Sequence, residues 1–125
     1  MQVMERALMN DSPYVLDSGV REEVLTAIRE VCQFKQWNLL AAHVRTNHIH
    51  AVVEADIHPN QIMNAFKAYA SRRLNELGLD LPGRKRWARH GSTRWLWKDQ
   101  DVRDAIRYVV EGQGEPMAVF VGEAL

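Results

Sequence analysis

Apolar residues recur along this chain with two different periods, and the switches between them predict its elements. Val20, Val24, Ala27, Ile28 and Val31 return every three or four residues, so a helix is expected from an Asp17-Ser18 cap to about Phe34. Glu22 and Glu23 are expected in its first turn, where the helix dipole favours carboxylates. Leu39 to Arg45 and His48 to Glu54 are short, aliphatic and β-branched, and read as two strands joined by a Thr46-Asn47 turn. A two-residue turn there pairs Arg45 with His48, Val44 with Ile49 and His43 with His50.

Pro59 opens a second helix whose apolar stripe is Ile62, Met63, Phe66, Tyr69, Ala70 and Leu77, with Gly78 as its stop. A loop with Pro82-Gly83 follows. Arg86 to Trp97 mixes aromatic, basic and small residues around His90-Gly91-Ser92, which suggests one broken strand or a short hairpin. Asp99 or Asp101 is expected to cap a third helix through Val102, Ile106, Val109 and Val110, ending at Gly112. The two ends carry weaker patterns. Met1 to Leu8 fits a short strand or an irregular lead-in, Asn10 to Pro13 a turn, and Met117 to Val121 an edge strand or a helical turn. Helices and strands in this order describe an α+β domain, an antiparallel sheet covered by helices.

With 125 residues and 46% of them hydrophobic, the chain is expected to form one domain over 1–125. The formal net charge is zero, which removes the simple argument from a basic protein to nucleic acid. Distribution matters more. Residues 83 to 98 carry Arg84, Lys85, Arg86, Arg89, Arg94 and Lys98 with no acid, whereas residues 1 to 70 are net acidic. Trp87, Trp95 and Trp97 interleave with those cations, as single-strand binding requires when bases stack on indoles and phosphates meet Arg and Lys. The bland alternative is a solvated surface loop. Arg72 and Arg73 would extend the basic surface. Cys32 is alone, so no disulfide framework is expected and a reducing, cytoplasmic setting follows. No run of about 20 apolar residues suggests a membrane span, and no secretory leader is expected.

His48-Ile49-His50 carries the candidate chemistry. Alternation on a strand sends both imidazoles to one face and Ile49 into the core, which makes half of a metal site or, in the structural alternative, two ordinary sheet histidines. Tyr108 sits toward the edge of the third helix's stripe, flanked by Asp104 and Glu111. Tyr69 falls within an apolar stripe and reads as core. A phenol, with an ordinary pKa near 10, is a poor nucleophile at neutral pH. Beside a divalent ion that polarises a phosphodiester, it can attack phosphorus and hold the bond as a phosphotyrosine.

Val44 to His50, the helix Phe66-Lys67-Ala68-Tyr69-Ala70-Ser71-Arg72-Arg73-Leu74, the stretch Arg89 to Trp97, and Tyr108-Val109-Val110-Glu111-Gly112-Gln113-Gly114 together resemble the single-tyrosine HUH transposases, including REP-associated tyrosine transposases. The likeness covers roughly residues 20 to 117 in order. It implies a ferredoxin-like antiparallel sheet with helices packed on it, His48 and His50 as ligands of Mg²⁺ or Mn²⁺, and Tyr108 as the nucleophile. Its substrate would be single-stranded or hairpin DNA, cut to a 5′-phosphotyrosine and a free 3′-hydroxyl and later rejoined in DNA transposition. Family members often carry Gln or Asn four residues after the tyrosine as a third ligand. Here that position is Gly112, so Gln113, Glu111 and His43 are the candidates. The resemblance also implies a homodimer, in which the tyrosine helix of one subunit can complete the histidine pair of the other. Two other readings remain: a catalytically inactive, domesticated hairpin-DNA-binding module, and a small RNA-binding or regulatory domain.

Overall fold

Short apolar strands must bury both faces here, because helices are available to cover each side of the sheet. A computed structural model describes residues 2–10, 16–79 and 86–122. Along the chain come β1 (Gln2–Asn10), α1 (Ser18–Lys35), β2 (Asn38–Val44), β3 (His48–Ala55), α2 (Pro59–Glu76), β4 (Trp87–Leu96), α3 (Asp99–Glu111) and β5 (Ala118–Val121). The strands form one antiparallel sheet in the order β4-β1-β3-β2-β5. The α+β architecture is therefore as the pattern predicts. No helix among the described residues is long and apolar enough to cross a membrane.

Helices α1 and α2 pack on one face of the sheet and α3 on the other. On the first face Ile49, Ala51, Val53 and Ala55 of β3 meet Val24, Ile28 and Val31 of α1 and Ile62, Phe66 and Leu74 of α2. On the second, Val52 and Leu96 meet Val102, Ala105 and Val109. A register shift between Leu39 and Ala41 lets Leu40 and Ala41 both join the α3 side. The β2–β3 turn has the expected register, with Val44 opposite Ile49 and His43 opposite His50.

Several boundaries differ from the sequence pattern. The first segment is a nine-residue strand at the heart of the sheet, hydrogen-bonded to β3 and β4. Its alternation is hard to see because a charged residue faces inward on each side, Glu5 toward α3 and Arg6 toward α2. Trp87 to Leu96 is one strand, neither broken nor a hairpin, and its irregularity lies opposite the end of β1. Residues 118–121 form the edge strand. Asp17 caps α1 through Val20 N–H at 3.0 Å, but Glu22 and Glu23 fall beyond its first turn. Lys98 stands at the N-cap of α3 without a side-chain bond, so Asp99 and Asp101 serve the dipole from inside the first turn. Leu77 is exposed, and Leu74 takes its place in the buried stripe of α2. The expected turns at Asp11 to Pro13 and Pro82-Gly83 lie outside the described residues.

Candidate active site

β3 presents His48 and His50 on the α3 side, since Ile49 between them is buried against the other helices. Their rings are 6.4 Å apart between centroids. Tyr108, on the last turns of α3, sets its ring edge-on to His50 at 5.6 Å and is half exposed. Gln113 follows the helix end and reaches back, placing Oε1 2.7 Å from His48 Nε2. Four residues named from the sequence thus meet in one place.

The orientation of the Gln113 amide has a local cause. Carbonyls in the last turn of a helix lack intrahelical donors, and the Val109 carbonyl is one of them. Gln113 Nε2 donates to it at 3.0 Å, which turns Oε1 toward His48. Gly112 caps the helix by donating its N–H to the Tyr108 carbonyl at 2.9 Å.

Glu5, which the sequence pattern did not single out, completes the cluster. Its Oε2 lies 2.9 Å from His50 Nε2, and both side chains are nearly buried. The opposite oxygen is 3.6 Å from the Arg94 guanidinium. The His50 pKa is lowered from its ordinary value, chiefly by burial, against the opposing pull of the Glu5 carboxylate and the Gln113 hydrogen bond. Glu5, Ser92, Arg94, Asp104, His50 and Tyr108 line an open cleft of about 590 Å³. Inward-facing Glu5 on β1 was the available signal, and it becomes visible once β1 is placed beside β3, with Ala7 opposite His50.

The donor set suits a hard divalent cation. His48 Nδ1 contacts Asn47 Oδ1 at 3.0 Å, which favours the tautomer with its proton on Nδ1 and the Nε2 lone pair facing Gln113 Oε1. Two acceptors at 2.7 Å need a proton or a cation between them. Adjacent ligands of an octahedral ion at about 2.1 Å are about 3 Å apart, close to this spacing. Among the described residues no group of three or more His, Cys, Asp or Glu side chains could hold a metal, and beside His48 the further donor is the Gln113 amide oxygen.

The other third-ligand candidates stand elsewhere. His43 is fully buried; its Nδ1 bonds the Val109 carbonyl at 2.8 Å and its Nε2 accepts the Met117 N–H at 3.0 Å, so neither nitrogen is left for a metal. Burial lowers its pKa. Glu111 is exposed, along an adjoining groove that shares Asp104 and Tyr108 with the cleft. Of the basic side chains among the described residues, only Arg94 borders the cleft. Arg73 is on α2, across the sheet, paired with Glu23 at 2.7 Å and Glu30 at 2.9 Å. Arg72 lies over the Tyr69 ring at 5.0 Å on that same helix. Arg86 is buried, donating to Asn75 Oδ1 at 2.7 Å, so it fastens the start of β4 to α2. Arg84 and Lys85 lie outside the described residues, as does the side chain of Arg89. Trp87 is core and bonds Ser71 Oγ, whereas Trp97 is 73% exposed and stacks on Trp95 at 6.0 Å.

An antiparallel sheet with a paired-histidine strand under a tyrosine-bearing helix defines the class, and comparison with known proteins supplies the family. The family model described as "Transposase IS200 like" matches residues 8–103, and the chain belongs to that family. The match includes both histidines and ends before Tyr108. Among solved structures, a REP-associated tyrosine transposase bound to a REP hairpin aligns with a TM-score of 0.68 and 15% identity, over 89% of this chain and 66% of that one. The chain thus spans just under two thirds of that neighbour. A Deinococcus radiodurans R1 protein assigned as a transposase aligns with a TM-score of 0.66 and 18% identity, over 90% of this chain and 92% of that one. At these identities the likeness establishes the fold. No curated protein matches the sequence.

Proposed function

We propose that this transposase-family chain is a metal-dependent endonuclease and strand transferase that cuts single-stranded, hairpin-bearing DNA through Tyr108. The observation that carries the reading is a chain of contacts: Tyr108 stands edge-on to His50 at the cleft, and His48, beside His50, carries Gln113. His48, His50 and Gln113 would hold Mg²⁺ or Mn²⁺, with Glu5 beside them. Such an ion supplies charge stabilisation at the scissile phosphate.

The chain's own groups do the rest. The exposed Tyr108 phenol attacks phosphorus, an aryl O–P bond forms, and the bond from phosphorus to the 3′-oxygen breaks. The phenol gives up a proton as the 3′-oxygen takes one, so cleavage leaves a 5′-phosphotyrosine and a 3′-hydroxyl with no net proton change. Reversal by another 3′-hydroxyl rejoins the strand without a nucleoside triphosphate. Arg94, exposed at the cleft mouth, is placed to meet a flanking phosphate. Trp97, backed by Trp95, offers a face on which an unpaired base can stack. The hairpin in the neighbouring structure is the support for a hairpin substrate here.

The test is incubation with end-labelled hairpin-bearing single strands and Mn²⁺, followed by a denaturing gel. Wild type is expected to leave a protein–DNA adduct, and Tyr108→Phe to abolish it while binding persists. An adduct that survives Tyr108→Phe moves the nucleophile elsewhere; a mobility shift with no adduct in wild type leaves a binding module in place of the enzyme.

A further inference from the structure

His43 is fully buried, has no nitrogen left for a metal, and joins three parts of the molecule. It stands on β2, directly across from His50 of β3. Its Nδ1 reaches the Val109 carbonyl, one residue after Tyr108, and its Nε2 accepts the backbone N–H of Met117, just before β5. The second bond settles the tautomer: an Nε2 that accepts leaves the proton on Nδ1, which donates to Val109. That carbonyl also receives the Gln113 amide. One buried imidazole therefore fixes the end of the tyrosine helix, the loop behind it and, through the shared carbonyl, the side chain that faces His48.

We propose that His43 is the positioning residue that holds Tyr108 and Gln113 over the histidine pair of the same chain, so that the site is complete within one subunit. The inference rests on the function proposed above for those residues. Further geometry supports it. Residues 112 to 117 must reverse direction from α3 into β5, and Gly114 makes that turn at φ +91°, a conformation that side-chain-bearing residues rarely adopt. Arg45, two residues after His43, donates to the Glu115 carbonyl at 2.9 Å and holds the middle of the loop to the end of β2. Val109 itself is buried against Leu40, Ala41 and Val52, so its carbonyl is presented to the sheet by packing. A helix tethered in this way cannot swing out to a second copy without breaking the His43–Val109 bond and uncovering a buried ring, while the Met117 bond keeps that ring in place on the β5 side. A homodimer is then free to form for other reasons, but the site does not need one.

Two isosteric replacements divide the clamp. His43→Asn can keep the donor to Val109 and lose the acceptor for Met117, whereas His43→Gln can keep the reach to Met117 and lose the donor to Val109. Both are first checked for folding by circular dichroism and thermal melting. The expected result, in folded variants, is faster amide exchange over 109–117, most of all in His43→Gln. Mn²⁺ affinity and single-turnover adduct rate should each fall by about tenfold or more, the usual consequence of losing a residue that orients a ligand, while the Kd for hairpin DNA stays near wild type. A purely structural role would lower the melting temperature and move neither Mn²⁺ affinity nor the adduct rate per folded molecule.

A second arm does not depend on any His43 variant. Tyr108→Phe mixed with His48→Ala is expected to give no more adduct than either alone, because neither chain can lend its helix to the other. Restored adduct in that mixture overturns the proposal, as do folded His43 variants with wild-type exchange, Mn²⁺ affinity and adduct rate. Should wild type make no adduct at all, the nuclease reading fails separately, and exchange over 109–117 still decides whether His43 holds the helix.

Discussion

A histidine with both nitrogens committed to backbone groups gains nothing from a proton and loses a bond to one. In His43 the Nε2 that would be protonated is the atom that accepts the Met117 N–H, and burial alone already lowers its pKa below the ordinary 6.5. The surroundings add to this: the Arg45 guanidinium, at 3.4 Å from the same nitrogen, and the His48 and His50 rings oppose a further positive charge, while the Val109 carbonyl favours one. The folded state thus binds this proton less tightly than the unfolded chain. Stability is fully present above pH 6.5 and is lost as the pH falls through 6.5 toward the lower folded value. Urea unfolding of the metal-free protein from pH 7.5 to 5.0 should show that decline, and His43→Gln should reduce it to the part left by His50, whose pKa burial also lowers. A wild-type profile unchanged below pH 6.5 would show that the ring is protonated as easily in the fold as outside it. Cys32 behaves in the same sense at the other end of the scale. Burial pushes its thiol up to about 12, consistent with a cysteine that serves packing alone.

At the scale of elements, what the sequence disclosed followed from how regular each pattern was. Helices α1, α2 and α3 and strands β2 and β3 bury unbroken stripes, and their places were legible. β1 was not, because Glu5 and Arg6 interrupt its alternation, and their reasons lie on other elements: Glu5 answers His50, and Arg6 donates to Thr93 and Met63. The site divided in the same way. The histidine pair and Tyr108 are periodic features, whereas Glu5 and the true partners of Arg73 and Arg86 depend on pairings between distant segments. The end of α3 shows how one backbone position decides which residue carries the proposed ligand. A Cβ on Gly112 would lie 2.9 Å from the Tyr108 carbonyl and 3.2 Å from its ring, so a side chain there would push against the proposed nucleophile. The amide is instead carried one residue later, by Gln113. With φ at −88° the backbone itself tolerates alanine, so the effect of Gly112→Ala is steric and falls on Tyr108. The adduct rate should drop by about tenfold or more through misplacement of the proposed nucleophile, with hairpin-DNA affinity within about twofold of wild type. Unchanged single-turnover kinetics would show that the cap can shift without moving the phenol.

The whole molecule separates its two faces by task. Between the sheet and α1 and α2 lies the larger apolar core, and on that side the cations are engaged within the protein: Arg73 bridges two α1 carboxylates, and Arg86 ties β4 to α2. On the α3 side the core is smaller and the cleft opens beside it, with Arg94 largely exposed at its edge. Residues that look equivalent as a basic run in sequence therefore have different energetic roles. Arg73→Ala removes a partly exposed pair of ion pairs between helices, which should cost about 0.5–1 kcal/mol of stability and leave DNA binding as it is. Arg94→Ala removes a candidate phosphate contact, together with a weak screen on Glu5. It should weaken single-strand binding and reduce the slope of log K against log salt by about 0.7, the share of one neutralised phosphate on a single strand, while the melting temperature barely moves. Fluorescence anisotropy across a salt series, run beside thermal melts of both variants, measures the two effects at once. If Arg73→Ala lowers the salt slope and Arg94→Ala does not, DNA lies across the two-helix face and the cleft beside Tyr108 is not where the strand enters.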